Sequence, residues 1–225
     1  MTRSAALLAL LAAAPLAPAQ TAAPPTPVVA SFAPPGAPYA GLYATDGGMV
    51  EVRPSGAGIA LVAHGAPVAA RLRALGETDA ATDARAMMLL DAWITGDLAA
   101  VAAAARPAHR PAAAEALAAY RTALVRGHGE VFAGSVVETF RQTDGRKATL
   151  VQLLFDRGSE WASLVWDENG DLVTMTRGLS PVVVGTAEAT SSDTFVGAGV
   201  GIRFERGQDG RIETIRVDDR FVAIR

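Results

Sequence analysis

Cysteine is absent from the 225 residues. That excludes disulfides, thiolate metal ligands and a lipid anchor on an N-terminal cysteine, and leaves stability to core packing alone. Lysine occurs once, as Lys147, so Schiff-base or phosphate-loop chemistry on any other lysine is excluded. The three histidines, His64, His109 and His128, are scattered, and no His-Glu-x-x-His occurs. Without cysteine and without histidines at ligand spacing, no zinc site and no other metal is expected. Aromatic residues make up only 6% of the chain. The formal net charge of −3 argues neither for a nucleic acid nor for an anionic membrane surface, both of which select a basic patch. Beyond the N-terminus no apolar run approaches the roughly 20 residues that span a bilayer, so no membrane insertion is expected of the mature chain.

What is present begins with "MTRSAALLALLAAAPLAPAQ". Arg3, an apolar stretch from Ala5 to Ala14 and an Ala17-Pro18-Ala19 end follow the order of a secretory signal peptide. Residues 1–19 are therefore expected to direct export, to a periplasmic or secreted location. Residues 20–38, rich in proline and alanine, read as an extended linker.

From Tyr39, short alternating runs such as Met49–Arg53 and Ile59–Ala63, split by "TDGG" and "PSGAG", predict a hairpin. His64 ends the second strand and is read as a surface or capping residue. Between Asp83 and Ala105, Leu90, Trp93, Ile94, Leu98 and Val101 follow helical spacing. Gly96 is expected to end one helix and Asp97 to cap the next. A further helix is predicted from Pro111 to Arg126, with "RGHG" ending it. After Gly129 the runs "SVVETF", "KATLVQLLF", "EWASLVW", "DLVTMTRG", "VGIRF" and "IETIRV" alternate with "TDGR", "DRGS", "ENGD" and "QDGR", which predicts a meander of hairpins. Helices segregated from antiparallel strands define an α+β fold.

"WDENGDLVTM" (166–175) raises the question of a calcium loop. Counted from Asp167, glycine falls at position 4 instead of 6, and Gly178 occupies position 12, where a bidentate glutamate is needed. Asn169-Gly170 is read instead as a two-residue hairpin turn. "GAGVG" (197–201) leads into a strand, whereas a dinucleotide loop opens a helix, so no cofactor is expected.

The block 80–178 resembles the nuclear transport factor 2-like superfamily of SnoaL-type and ketosteroid-isomerase-like proteins. The resemblance rests on "DAWITGDLAAVAAAA", the helix "EALAAYRTALVRGHGEV" and the strands ending in "WDENGDLVTMTRG". It implies a cone-shaped domain, in which helices pack on a curved antiparallel sheet and often leave an apolar pocket. The flanks, 39–70 and 179–225, resemble the small β-domain of serine β-lactamase-like hydrolases, through "PYAGLY" and "GVGIRFERGQDGRIETIRVDDRF". Together they imply a small antiparallel β-module in two parts, interrupted by the central domain and held together by pairing of its first and last strands. The hydrolase nucleophile itself is missing: a Ser-x-x-Lys motif on Lys147 would need serine at 144, which is Asp144.

General acid–base chemistry is the enzymatic option left by the resemblance. Asp91, Tyr120, His128, Glu130 and Glu138 are the candidates, with Glu138 and His128 foremost as catalytic residues. Glu138 alternates with Val136 and Phe140 and either points inward with them or lies on an edge strand of mixed faces. Trp93, Tyr120, Phe140 and Trp161 are the candidate pocket residues; the tryptophans serve equally well as core. The reading is an exported, non-catalytic binding or accessory protein for a small apolar ligand or a protein partner. Its rival is a periplasmic isomerase or dehydratase. A third reading is an interaction domain, such as a homodimer formed through the sheet.

Overall fold

The computed structural model describes residues 36–75, 79–218 and 221–225. The expected signal peptide and residues 20–35 of the expected linker lie outside the described residues. A 3-10 turn at Ala37–Tyr39 takes up the last two residues assigned to the linker.

Strands β1 (Gly41–Thr45), β2 (Gly48–Ser55) and β3 (Gly58–His64) form an antiparallel meander. Helix α1 (Ala66–Leu72), absent from the sequence reading, follows at once and buries Ala66, Val68, Ala69 and Leu72. Helix α2 (Ala80–Thr95) starts three residues before the expected Asp83, because Asp79 caps it by accepting the Thr82 N–H at 3.1 Å. Gly96, with φ of 81°, ends α2, and Asp97 caps α3 (Leu98–Ala103) through the Ala100 N–H. Helix α4 (Arg110–His128) runs two residues past the expected end, so His128 is helical and Gly129, with φ of 86°, makes the stop.

The remaining strands are β4 (Val131–Gln142), β5 (Lys147–Phe155), β6 (Gly158–Trp166), β7 (Leu172–Arg177), β8 (Val182–Ser191), β9 (Thr194–Gly197), β10 (Val200–Arg206), β11 (Ile212–Val217) and β12 (Phe221–Ile224). The sequence reading had passed over β8, β9 and β12.

Three hairpins share one geometry. At 142–146, 167–171 and 207–211 the glycine N–H bonds back three residues, to Gln142, Asp167 and Gly207, and the loop ends bond each other at 2.7–3.0 Å. Gly145, Gly170 and Gly210 all have φ between 77° and 90°. This is a type I turn followed by a left-handed glycine. It corrects the two-residue turn read at Asn169-Gly170: Glu168 and Asn169 are central, and Gly170 takes the left-handed place. The Asp167 carboxylate fixes the loop by accepting the N–H of Asn169 and Asp171. Two-residue turns lie elsewhere, at Asp46-Gly47, Gly56-Ala57, Asp156-Arg157 and Ala198-Gly199, the last between the paired Gly197 and Val200 with φ of 49° and 80°.

The fold is α+β. Eight strands in the order β3-β2-β1-β12-β11-β10-β9-β8 close into an antiparallel barrel through the pairing of β3 with β8. First and last strands are neighbours: Ala44 of β1 pairs with Ile224 of β12, and Arg225 lies over the Tyr43 ring. Side chains fill the barrel, with Tyr39 packed on Phe195 and Phe204 at 4.9 and 4.6 Å, as the diameter of an eight-stranded barrel requires. A four-stranded antiparallel sheet, β4-β5-β6-β7, extends from β8. On one face it packs α2, α3 and α4 over a second core containing Leu90, Trp93, Leu153, Leu164 and Trp166.

Strand β8 is the seam between the two parts. One edge runs along β3 from Val182 to Glu188. The other edge pairs first with β4, through Val182 and Val183, and then with β9 from Glu188 onward. In between, β4 and β9 diverge, and the sheet forks. Gly185 lies at this fork because the Leu75 carbonyl oxygen sits 2.1 Å from where a Cβ would be. Only glycine lets the chain leaving α1 press so closely on β8.

Candidate functional site

The fork opens into a hollow of about 870 Å3. Its walls are Leu75, Ala80, Phe140, Val183, Val184 and Ala198, with Thr139, Thr186 and Asp79 among them. Strands β4 and β8, the turn between β9 and β10 and the start of α2 contribute. A second hollow of about 750 Å3 adjoins it over the ends of β4, β5 and β6. Cations dominate this one: Arg85, Arg106, Arg141, Arg146 and Lys147, against Asp144, Asp167 and Glu168. The two hollows have Ala81, Arg141 and Lys147 in common. Both volumes fall within the span of about 300–1,000 Å3 of small-molecule sites.

Most of these charges hold the scaffold. Lys147 donates to Asp79 at 2.6 Å, so the residue that caps α2 also ties it to the first residue of β5. That bond holds the Asp79 carboxyl below its ordinary range. Arg106 pairs with Asp167 at 2.6 Å and Asp171 at 3.5 Å, fastening the segment between α3 and α4 to the β6–β7 hairpin. Arg85 lies 5.3 Å above the Trp166 ring and donates to the carbonyls of Gly170 and Ala104. Arg146 is engaged with Asp144 of its own turn. Arg141 is different. It donates to the Gly145 carbonyl at 3.3 Å and has no carboxylate partner among the described residues.

Beneath the groove, Asp83 accepts from Thr139 at 2.6 Å, Thr139 and Thr149 share a hydrogen bond of 2.6 Å, and Thr149 accepts the Trp166 indole N–H at 2.8 Å. Thr149 and Trp166 are buried, so this chain of polar atoms carries its own satisfaction.

The expected site residues fall in several places. Glu138 is buried, 5% exposed, and its Oε2 has no hydrogen-bond partner. Burial first, then the charge of Asp83, pushes its pKa up to about 7 against an opposing pull from Arg73. The alternation read for it is broken by a bulge at Val137, which shifts the β4–β5 register between Val136 and Glu138. Val136 therefore packs in the helix-side core, while Phe140 belongs to the barrel-side core. Glu138 pairs across the ladder with Leu150, also of the barrel-side core, and it lines neither hollow.

His128, at the last turn of α4, pairs with Glu160 at 3.0 Å and packs on Phe155. Glu160 also holds Arg177, which makes this a network on the rim of the sheet. Trp93 and Tyr120 meet in the helix-side core with ring centroids 6.2 Å apart. Burial raises the Tyr120 pKa to about 12. Phe140 and Trp161 pack against the barrel-side core instead. Of the four expected pocket residues, Phe140 lines the fork hollow, and Trp93, Tyr120 and Trp161 line neither of the two hollows. Asp91 is exposed on α2. Glu130 is exposed and pairs loosely with Arg121 at 3.7 Å. His64 bonds Glu51 at 2.8 Å.

Sequence reasoning missed the cations. Arg141, Arg146 and Lys147 bracket one hairpin, "RQTDGRK", and that clustering was the available signal. No protein-family model, curated protein or solved structure matches the chain.

Proposed function

We propose that this protein is an exported, non-catalytic binding protein that retains a small molecule at the fork between β4, β8 and β9. One observation carries the reading: a hollow whose lining mixes apolar residues such as Leu75, Phe140 and Val183 with Asp79, Thr139 and Thr186 meets a cationic groove at Arg141 and Lys147. Convergent polar groups at the mouth of an apolar concavity are what a retained ligand needs. The kinships proposed from the sequence fit this reading. Three helices laid on a four-stranded antiparallel sheet support a SnoaL-like central domain. The pairing of β1 with β12 around it supports a β-module interrupted by that domain. In this protein the ligand sits at the junction of the two modules, outside both filled cores.

The test is binding of 1-anilinonaphthalene-8-sulfonate, an apolar anionic dye, followed by its fluorescence. Ala81 is exposed and lines both hollows, so Ala81→Trp fills the mouth without touching a core. Dye bound by the wild type and lost in the variant, at unchanged stability, supports the reading. Dye binding that Ala81→Trp leaves unchanged refutes it.

A second reading, a periplasmic isomerase or dehydratase, draws on Glu138, whose pKa near 7 suits a general base at neutral pH. Its test is turnover of an enolisable ketone by the wild type, with loss of that turnover in Glu138→Gln.

A further inference from the structure

We infer that the ligand of the fork is an acidic amphiphile: a monomeric molecule with one carboxylate head and an aliphatic body. This rests on the proposed binding reading and adds the chemistry of the ligand. Three observations converge on it.

The first is the position of the charge. Among the described residues Ala81, Arg141 and Lys147 line both hollows, and the two charged ones are cations. The passage between the hollows is therefore lined by cations, which is where the head of an amphiphile comes to rest when its body lies on Leu75, Phe140 and Val183.

The second is the state of the two cations. Lys147 is engaged with Asp79. Arg141 gives one bond to a backbone carbonyl, although a guanidinium has five N–H donors in a planar fork. A carboxylate accepts two of them side by side, in the geometry that makes such pairs strong and directional. The neighbouring arginines of the groove are committed: Arg106 to Asp167, Arg146 to Asp144, and Arg85 to two carbonyls and the Trp166 ring.

The third is the fork itself. Among the described residues, Gly185, Thr186 and Ala187 have ladder partners on the β3 side and none on the other. Phe140 and Val183 flank that opening on one side and Ala198 on another. An aliphatic chain laid between them is covered by apolar walls, and its head reaches Arg141 at the mouth. Because the barrel interior is filled, the body of the ligand lies outside the barrel, along its seam.

The experiment uses the full chain and two probes of equal chain length, decanoate and decanol, measured by isothermal titration below their aggregation concentrations. Decanoate is expected to bind at least about tenfold more tightly than decanol, the factor that one charge-assisted hydrogen-bonded pair supplies. Arg141→Gln is expected to weaken decanoate about tenfold and leave decanol unchanged, while Arg141→Lys retains part of the preference. Arg141 is exposed and bonds one carbonyl, so these variants keep the fold, and unchanged thermal unfolding verifies it. Decanol binding as tightly as decanoate, with both lost in Ala81→Trp, overturns the acid head and leaves the binding reading standing. Failure of decanoate, decanol and the dye alike overturns both. Decanoate binding that Arg141→Gln does not change overturns the assignment of the head to this arginine.

Discussion

Replacing Glu138 by glutamine should make the protein more stable, and more so as the pH rises. In the folded chain the Glu138 carboxyl is 5% exposed, lacks a partner at Oε2, and has its pKa pushed up to about 7 from an ordinary 4.5, by burial first and then by Asp83. Between those two values the folded state holds a proton that the unfolded chain has released. Stability is therefore fully present below pH 4.5, declines as the pH rises toward 7, and is flat above it. At about 1.4 kcal/mol per pH unit the whole loss is about 3 kcal/mol, of which about 2.5 kcal/mol falls between pH 5 and pH 8. Glutamine does not ionise and escapes it. Urea unfolding of both proteins at pH 5 and pH 8, extrapolated to water, should show the advantage of Glu138→Gln growing by about 2.5 kcal/mol over that interval. An equal change in stability from pH 5 to pH 8 in the two proteins refutes the argument, because it would place the carboxylate in water or on a partner.

Other perturbations test other parts of the structure. Ala198 has φ of 49° in the β9–β10 turn, a conformation that costs a non-glycine residue about 1 kcal/mol or more. Ala198→Gly should raise the urea midpoint by a corresponding amount, and a lowered midpoint would contradict the turn. Thr149→Val removes the acceptor of the Trp166 indole N–H and the partner of Thr139. It should cost about 2 kcal/mol for the buried groups left unpaired, together with a shift in tryptophan emission as the indole loses its partner.

The helical block was legible because its signals are local. Asp97 precedes an apolar turn that needs an N-terminal acceptor, and Gly96 precedes Asp97 because the end of α2 needs a left-handed residue. Both follow from residues within a few positions of each other. The Asp-Gly turns were legible for the same reason, although their inner geometry depended on two more hydrogen bonds than the dipeptide reveals. Helix α1 was hidden by its brevity: "APVAARL" is too short to display a period. Strand β8 was hidden by its mixed role. It is buried at its start, where two strands flank it, and exposed near its end, so its burial does not keep a single alternation. Alternation across Val137 could not say which neighbours Glu138 joins: it is buried, and the one bulged residue puts it on the side of Phe140 and away from Val136. Trp93 and Tyr120 lie in the helix-side core and Phe140 and Trp161 against the barrel-side core for a related reason. Aromatic character says that a side chain is buried, and the register of the strand says on which face.

By itself, the sequence determined the class of fold, the Gly96-Asp97 break between two helices, the places where the meander turns, and the chemistry closed to a chain with one lysine and no cysteine. Each of these depends on composition or on contacts between close neighbours. Tertiary structure alone decided that β3 pairs with β8 to close the barrel, that β4 and β9 divide the other edge of β8, and that Arg141 and Lys147 meet the apolar fork. The β3–β8 pairing joins residues more than a hundred positions apart, such as Gly58 and Glu188, and the β4–β8 pairing joins Arg141 to Val183 across three intervening strands. They are selected by which buried faces fit together, a condition on the complete chain that no short stretch expresses.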